Sequence, residues 1–355
     1  MSEHTHDADQ GEALLAQVQA ALLANSPLRI TGGNSKAFYG REVIGTPLDI
    51  RAHRGIVSYD PAELVITARA GTPLAELNAA LDAGGQMLPC EAPDFTGNAT
   101  VGGMVAAGLS GPRRPWVGSV RDFVLGCRII TGHGKHLRFG GEVIKNVAGY
   151  DVSRLMTGTL GCLGLITEVS FKVLPKPRAS LTLRLEMDRP RALRKFAEWG
   201  QQSLPISGAC QDGGTTLLRL EGGESSVKAA RELLGGEEVS PAFWDALRNH
   251  QLDFFKDPRP LWRLAVGNNR TPAELPGDAL IDWGGAQVWL KSTADAAQLR
   301  ALATQAGGHA DCYTPGVTDG PLPPLPDALM RYHRQLKAQL DPQCIFNPGR
   351  MYAGL

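Results

Sequence analysis

The sequence predicts a two-domain α+β protein, with a loop-rich first domain over residues 1–177 and a smaller α+β domain of the split βαβ kind over residues 178–355. Three observations predict it. A chain of 355 residues exceeds one ordinary domain, which runs to about 100 to 200 residues. Apolar residues recur at helical spacing in some stretches and alternate in others. Glycine, at 42 residues, gathers in runs beside apolar segments, where backbone must take positive φ or come very close to something.

In the first half, Ala13, Leu14, Val18, Ala21 and Leu22 predict an amphipathic helix that ends near Asn25. Leu28-Arg29-Ile30-Thr31 reads as the first strand and runs into Gly32-Gly33-Asn34-Ser35, a turn whose backbone N–H groups can point outward as an anion nest. Asp60-Pro61 marks a turn before the apolar run Leu64-Val65-Ile66. A helix is expected next, with Thr72 as N-cap, Pro73 at its first position, Leu74, Leu77 and Leu81 as its buried stripe and Gly84-Gly85 as its stop. The small-residue run from Gly97 to Gly108 opens a short helix and is a second place for phosphate to approach. Val124 to Ile130 and His136 to Phe139 read as strands around Thr131-Gly132-His133-Gly134. From Leu165 to Val173, Leu165, Thr167, Val169, Phe171 and Val173 alternate with Glu168, Ser170 and Lys172, as in a strand with one face apolar. Pro175-Lys176-Pro177 ends it and sets the domain boundary, because prolines remove ladder donors and stiffen the exit.

The second half restarts with alternating Leu181, Leu183, Leu185 and Met187, then a helix from about Pro190 to Gln202. Strands follow near Gly208 to Cys210 and Thr215 to Leu220, and a helix from about Ser225 to Leu234. That order is the reason for the split βαβ expectation. Later strands are expected near Leu261 to Val266 and Ala286 to Leu290, and a last helix from about Leu325 to Leu340. Its tail, with turns at Asp341-Pro342 and Asn347-Pro348-Gly349-Arg350, is expected to return toward the first domain.

Composition narrows the function. Lys+Arg and Asp+Glu both number 36, so no basic excess favours nucleic acid. No apolar stretch reaches the length of a membrane span and the polar start is unlike a signal peptide, so a cytoplasmic location is expected. Cys90, Cys127, Cys162, Cys210, Cys312 and Cys344 form no C-x-x-C pair, and His133 and His136 are the one close histidine pair, so no metal or iron–sulfur site is expected. The six tryptophans, Trp116, Trp199, Trp244, Trp262, Trp283 and Trp289, are read as packing residues.

Two glycine loops can hold the two phosphates of a dinucleotide through backbone N–H groups, or can be plain turns. Neither matches a common nucleotide signature: no G-x-G-x-x-G follows a strand, and Gly134-Lys135 lacks the rest of a Walker A loop. Arg113, Arg114 and Arg350 offer forks for a phosphate or a substrate carboxylate, with surface solvation the alternative for Arg114. Tyr150 and Lys145 are weighed as groups near a reduced cofactor against loop-stabilising roles.

The stretch from about Arg29 to Pro177 resembles the FAD domain of the vanillyl-alcohol oxidase superfamily, the PCMH-type fold. The resemblance rests on Thr31-Gly32-Gly33-Asn34-Ser35, Ala99-Thr100-Val101-Gly102-Gly103 and the run from Gly158 to Val169, three motifs in family order. It implies a PCMH-type domain of two subdomains followed by an α+β cap. It also implies noncovalent FAD touched by Gly32, Gly33, Asn34, Ser35, Thr100, Gly102, Gly103, Gly164 and Ile166, with the isoalloxazine ring at the domain junction. Ser110-Gly111-Pro112-Arg113-Arg114, Lys145-Asn146-Val147-Ala148-Gly149-Tyr150-Asp151 and Phe346-Asn347-Pro348-Gly349-Arg350 narrow the resemblance to the FAD-binding subunits of bacterial glycolate oxidases.

That narrower resemblance implies oxidation of glycolate to glyoxylate within a complex. The partners would be a related catalytic flavoprotein subunit and an iron–sulfur subunit that takes the electrons. Contact with the inner face of the membrane would come only through the complex. The late histidine-rich segment with a Gly-Asp-Gly-Asn core, carried by the larger catalytic members, has no counterpart here; Gly307-Gly308-His309-Ala310 comes nearest. No catalytic residue is assigned. Two other readings stand beside this one: a self-sufficient FAD-dependent D-lactate or 2-hydroxy-acid dehydrogenase, and a cofactor-free scaffold subunit.

Overall fold

The structure, a computed structural model, describes residues 7–141 and 150–355, so Lys145 and the rest of its motif up to Gly149 lie outside the described residues. The chain forms two compact units, one of residues 1–110, 118–176 and 324–355, the other of residues 111–117 and 177–323. The division passes between Lys176 and Pro177, and the C-terminal segment belongs to the first unit.

The first unit opens with the helix Gly11–Ala24, which buries Leu14, Val18 and Ala21 and ends on Asn25 in the left-handed conformation, φ 48°. Leu28–Thr31 then pairs in parallel with Thr46–Asp49. The main sheet has five antiparallel strands in the order Ile56–Asp60, Val65–Arg69, Leu165–Lys172, Val124–Ile130, His136–Gly140. Its central strand departs from the alternation read in the sequence: Leu165 through Phe171 are all buried, on both faces. The polar residues tolerate this because each finds a partner. Ser170 shares a 2.8 Å hydrogen bond with Thr67, Thr167 Oγ1 donates to the Arg128 carbonyl at 3.1 Å, and Glu168 lies 3.8 Å from Arg69 and 3.9 Å from Arg128.

The helix Leu74–Ala83 buries Leu74, Leu77 and Leu81 and stops at Gly84, as its spacing predicts, but Thr72 is not its cap. The N-cap is Pro73, and the Thr72 hydroxyl accepts from the Gly55 amide and donates to the Gly55 carbonyl. A β-turn carbonyl and amide within reach outcompete a helix end one residue away.

The second unit is an eight-stranded antiparallel sheet. Ala179–Glu186, Ile206–Asp212, Thr215–Gly222 and Glu237–Val239, with the helices Arg189–Trp199 and Glu224–Leu234 between them, make the expected split βαβ. A second half follows from Leu261–Ala265, Asp278–Asp282, Gln287–Lys291 and His309–Cys312, with the helix Ala296–Gln305 before the last strand. With each half numbered in chain order, the strands lie 4-1-3-2 and then 2-3-1-4, joined where Gln211 and Asp212 pair with Ile281 and Leu280. The repeat escapes the sequence because its second copy lacks the first crossover helix. Each half has its own core: Leu183, Phe196, Trp199, Leu218 and Leu220 in one, Trp262, Leu264, Val288, Leu290 and Leu299 in the other.

Candidate functional site

The turn after Leu28–Thr31 is held from outside by the C-terminal tail. Asn347, almost fully buried, accepts from the Ile30 amide at 2.8 Å, donates to the Leu160 carbonyl at 2.7 Å and donates its own amide to the Leu28 carbonyl. Its φ of 39° is a left-handed conformation that asparagine tolerates better than most side chains. Arg350 donates from its guanidinium to the carbonyls of Lys36, Ala37, Tyr39 and Arg41, curling the chain that follows the turn. The tail is itself fastened by buried Lys337, which donates to the carbonyls of Cys162 and Phe346 and pairs with Asp341 at 2.7 Å. Asp341 in turn accepts from the Ile345 and Phe346 amides.

Inside this frame the two glycine loops meet. A Cβ on Gly33 would overlap the Asn98 carbonyl oxygen, and one on Gly32 would lie 2.5 Å from Thr100 Oγ1. Among the described residues the backbone amides of Gly32, Gly33, Asn34, Ser35 and Lys36 donate to no protein acceptor. Five consecutive N–H groups, with Asn34 at φ 60°, are thus available to an outside acceptor such as an anion.

The second loop is built differently. Thr100 caps the short helix Val101–Ala107 by accepting from the Gly103 amide. The Val101 amide donates to Thr72 and the Gly102 amide to Ala70, so the first three N–H groups of this helix have protein partners. Gly102 is small because a Cβ there would come within 2.7 Å of the Ala70 Cβ. Thr100 therefore lies against the first loop, while Gly102 packs on Ala70 and the Gly103 amide is held by Thr100.

The third motif packs on the other end of the same helix. The Gly158 and Leu160 amides donate to the carbonyls of Val105 and Ala106, and Asn347 ties Leu160 back to the first strand. Gly164 sits where a Cβ would lie 3.1 Å from the Ile130 carbonyl oxygen, and Ile166 is buried opposite Ile129 in the main sheet. The structure thus brings Gly32 against Thr100 and Gly33 against Asn98. Gly164 and Ile166 join them indirectly, through the helix, Asn347 and Ala70, whose amide donates to the Thr167 carbonyl.

Lys36 adds a charge that motif reading did not single out. Its ammonium lies 3.1 Å from the Ser35 hydroxyl and 5.6 Å from the centre of the Phe95 ring. Burial pushes it down to about 8 from the usual lysine value, against the pull of Asp94. Lys36 follows the glycine loop directly in sequence, which is a signal, but its burial depends on Phe95 and Asp94 from a distant loop.

The other candidates have different occupations. Arg113 pairs with Glu221 within the second unit, and Arg114 stacks over the Trp283 ring at 4.5 Å. Arg350 serves backbone carbonyls. Tyr150 is almost fully exposed. Trp199, Trp244, Trp262, Trp283 and Trp289 are buried, while Trp116 is partly exposed. No helix among the described residues is long and apolar enough to cross a membrane.

Comparison with known proteins agrees with this geometry. The FAD binding domain family matches residues 8–140. Glycolate oxidase subunit GlcE of Escherichia coli (strain K12) is 61% identical over 98% of this chain and 99% of its own length. Glycolate oxidase subunit GlcD of Bacillus subtilis (strain 168) is 34% identical over 36% of this chain and 27% of its own length. Among solved structures, alkyldihydroxyacetonephosphate synthase superposes with a TM-score of 0.67 at 18% identity, covering 96% of this chain and 74% of its own, a likeness of fold. The PCMH-type fold and the binding of FAD follow from these matches, and with them an oxidoreductase of the FAD-dependent class. The chain belongs to the family of glycolate oxidase subunit GlcE, an FAD-binding flavoprotein family.

Proposed function

We propose that this chain takes part, as the FAD-binding subunit of a glycolate oxidase complex, in the oxidation of glycolate to glyoxylate. One observation carries the site assignment: five consecutive amides, residues 32–36, without acceptors among the described residues, in a loop tied by hydrogen bonds to Asn347 and Arg350. Such a nest fits the pyrophosphate of FAD, since preformed donors replace water around the anion without reorganising. In this reading Gly32, Gly33, Asn34 and Ser35 donate backbone N–H groups to the pyrophosphate. Thr100, Gly102 and Gly103 form the adjoining wall, and Gly164 and Ile166 back the site from the main sheet. FAD, when bound, supplies the capacity to take two electrons from a hydroxy acid. The chain's own part is to hold it and exclude water. The first loop carries no histidine or cysteine, in keeping with noncovalent binding.

The partners in this proposal are a related catalytic flavoprotein subunit and an iron–sulfur subunit that receives the electrons, with membrane contact only through them. The 61% identity to a protein named as a subunit supports an assembly, and the 34% match to a second glycolate oxidase subunit supports a related flavoprotein. Co-expression with the neighbouring subunits, followed by flavin and iron counts per chain and by stopped-flow bleaching on glycolate, tests it. The expected result is one FAD on this chain and glycolate-dependent bleaching only in the assembled complex. A flavin-free chain, or a lone chain that reduces its own flavin with glycolate, would defeat the proposal.

A further inference from the structure

We propose that the Lys36 ammonium is the counter-charge of the FAD pyrophosphate, closing against the anion held by the amides of residues 32–36. The inference rests on the proposed FAD site and adds the side chain that neutralises its ligand. Lys36 stands beside the nest: its Nζ is 3.1 Å from Oγ of Ser35, a buried residue whose own amide belongs to the nest. An ammonium has three protons to donate, and Ser35 Oγ is the one hydrogen-bond acceptor it meets among the described residues. Phe95, itself edge-on to Phe38, lies over it with its ring centre 5.6 Å away.

From the loop before the second glycine run comes Asp94, one of whose carboxylate oxygens accepts from the Ala99 amide. From the tail comes a second cation, Arg350, whose guanidinium is turned to the carbonyls of residues 36–41. Asp94 is the one charge that pulls on the half-buried ammonium, and taking a cation part-way out of water is costly without a close anion. Desolvation makes the lysine lose its proton more easily than usual, at about 8, against the pull of Asp94. A pyrophosphate in the nest would supply the missing negative charge and hold the proton on.

The linkage has a definite sign. Binding that restores the ammonium takes up a proton at any pH above the free chain's value, so affinity falls as pH rises. With a starting value of about 8, FAD should bind about thirtyfold more weakly at pH 9.5 than at pH 7.

The experiment uses the full chain freed of flavin, titrated with FAD by fluorescence quenching across that pH range, with circular dichroism to verify folding. The wild type should show the pH-dependent Kd. Lys36→Arg, charged throughout, should bind FAD with a flat profile, and Lys36→Met should bind at least about tenfold more weakly at pH 7 with a flat profile. Folded Lys36→Met that matches the wild type in both Kd and profile overturns the inference and leaves the FAD site standing. A wild-type chain that binds no FAD overturns both.

Discussion

Replacing Asn347 by alanine removes one side chain from the tail and should loosen the first glycine loop, some three hundred residues away in sequence. The side chain makes two buried hydrogen bonds, from the Ile30 amide at 2.8 Å and to the Leu160 carbonyl at 2.7 Å. Truncation leaves both backbone groups without partners, at about 1 to 3 kcal/mol each. Alanine at φ 39° adds about 1 kcal/mol, because its Cβ crowds the following carbonyl in the left-handed region. The sum is about 3 to 7 kcal/mol, with the lower end favoured because small buried gaps admit water. Hydrogen exchange of peptides that span Leu28 to Ser35 reads the loop directly, and 3 kcal/mol corresponds to a loss of protection of about 150-fold where exchange follows local opening. Tryptophan emission serves as an internal reference, since all six tryptophans lie in the second unit. Protection in Asn347→Ala within about fivefold of the wild type would show that the loop does not depend on this side chain, and the anchoring argument would fail.

Three further outcomes are expected. Gly33→Ala should lower stability by more than about 3 kcal/mol and abolish FAD retention, because the new methyl overlaps the Asn98 carbonyl and neither loop can move without the other; an FAD-loaded, normally stable variant in urea titration would contradict this. Arg350→Lys keeps the charge but loses the planar fork that serves four carbonyls, so FAD should bind about tenfold more weakly by equilibrium titration, while retention of wild-type affinity would reduce Arg350 to a bystander. His250 is stacked 4.1 Å from Phe255 and edge-on to Trp289, and its pKa is pushed down to about 3 by burial and by the charges of Lys291 and Arg263. A lowered histidine stabilises the fold fully above its unfolded value of about 6.5, and this contribution is lost as pH falls from there toward 3, by up to about 3 kcal/mol at pH 4. Urea unfolding followed by tryptophan emission should show that loss, and His250→Phe should lack it; equal pH profiles for the two proteins would refute the assignment.

Within one element the local pattern was enough. The helix Gly11–Ala24, its asparagine stop, the stripe Leu74, Leu77 and Leu81, and the first split βαβ of the second unit depend on periodicities of three to four and of two, which a sequence displays openly. Gly32 and Gly33 were legible as a place where backbone must come close to something. What the close neighbour is was not legible: each glycine is small first because Asn98 and Thr100 lie against it. Likewise Glu168 and Ser170 read as the face opposite the apolar one, and only the neighbouring strands reveal their buried partners Arg69 and Thr67.

The sequence by itself determined the kind of backbone each segment adopts and the family to which its motifs point. The tertiary structure alone decided that the amides of residues 32–36 meet no acceptor among the described residues while those of Val101, Gly102 and Gly103 are occupied, and that Lys36 is half-buried next to the open set. The reason is one of range. A hydrogen-bond donor is free or occupied, and a charge exposed or desolvated, according to atoms brought in from Ala70, Thr72, Phe95 and the tail, whose arrival no local pattern encodes.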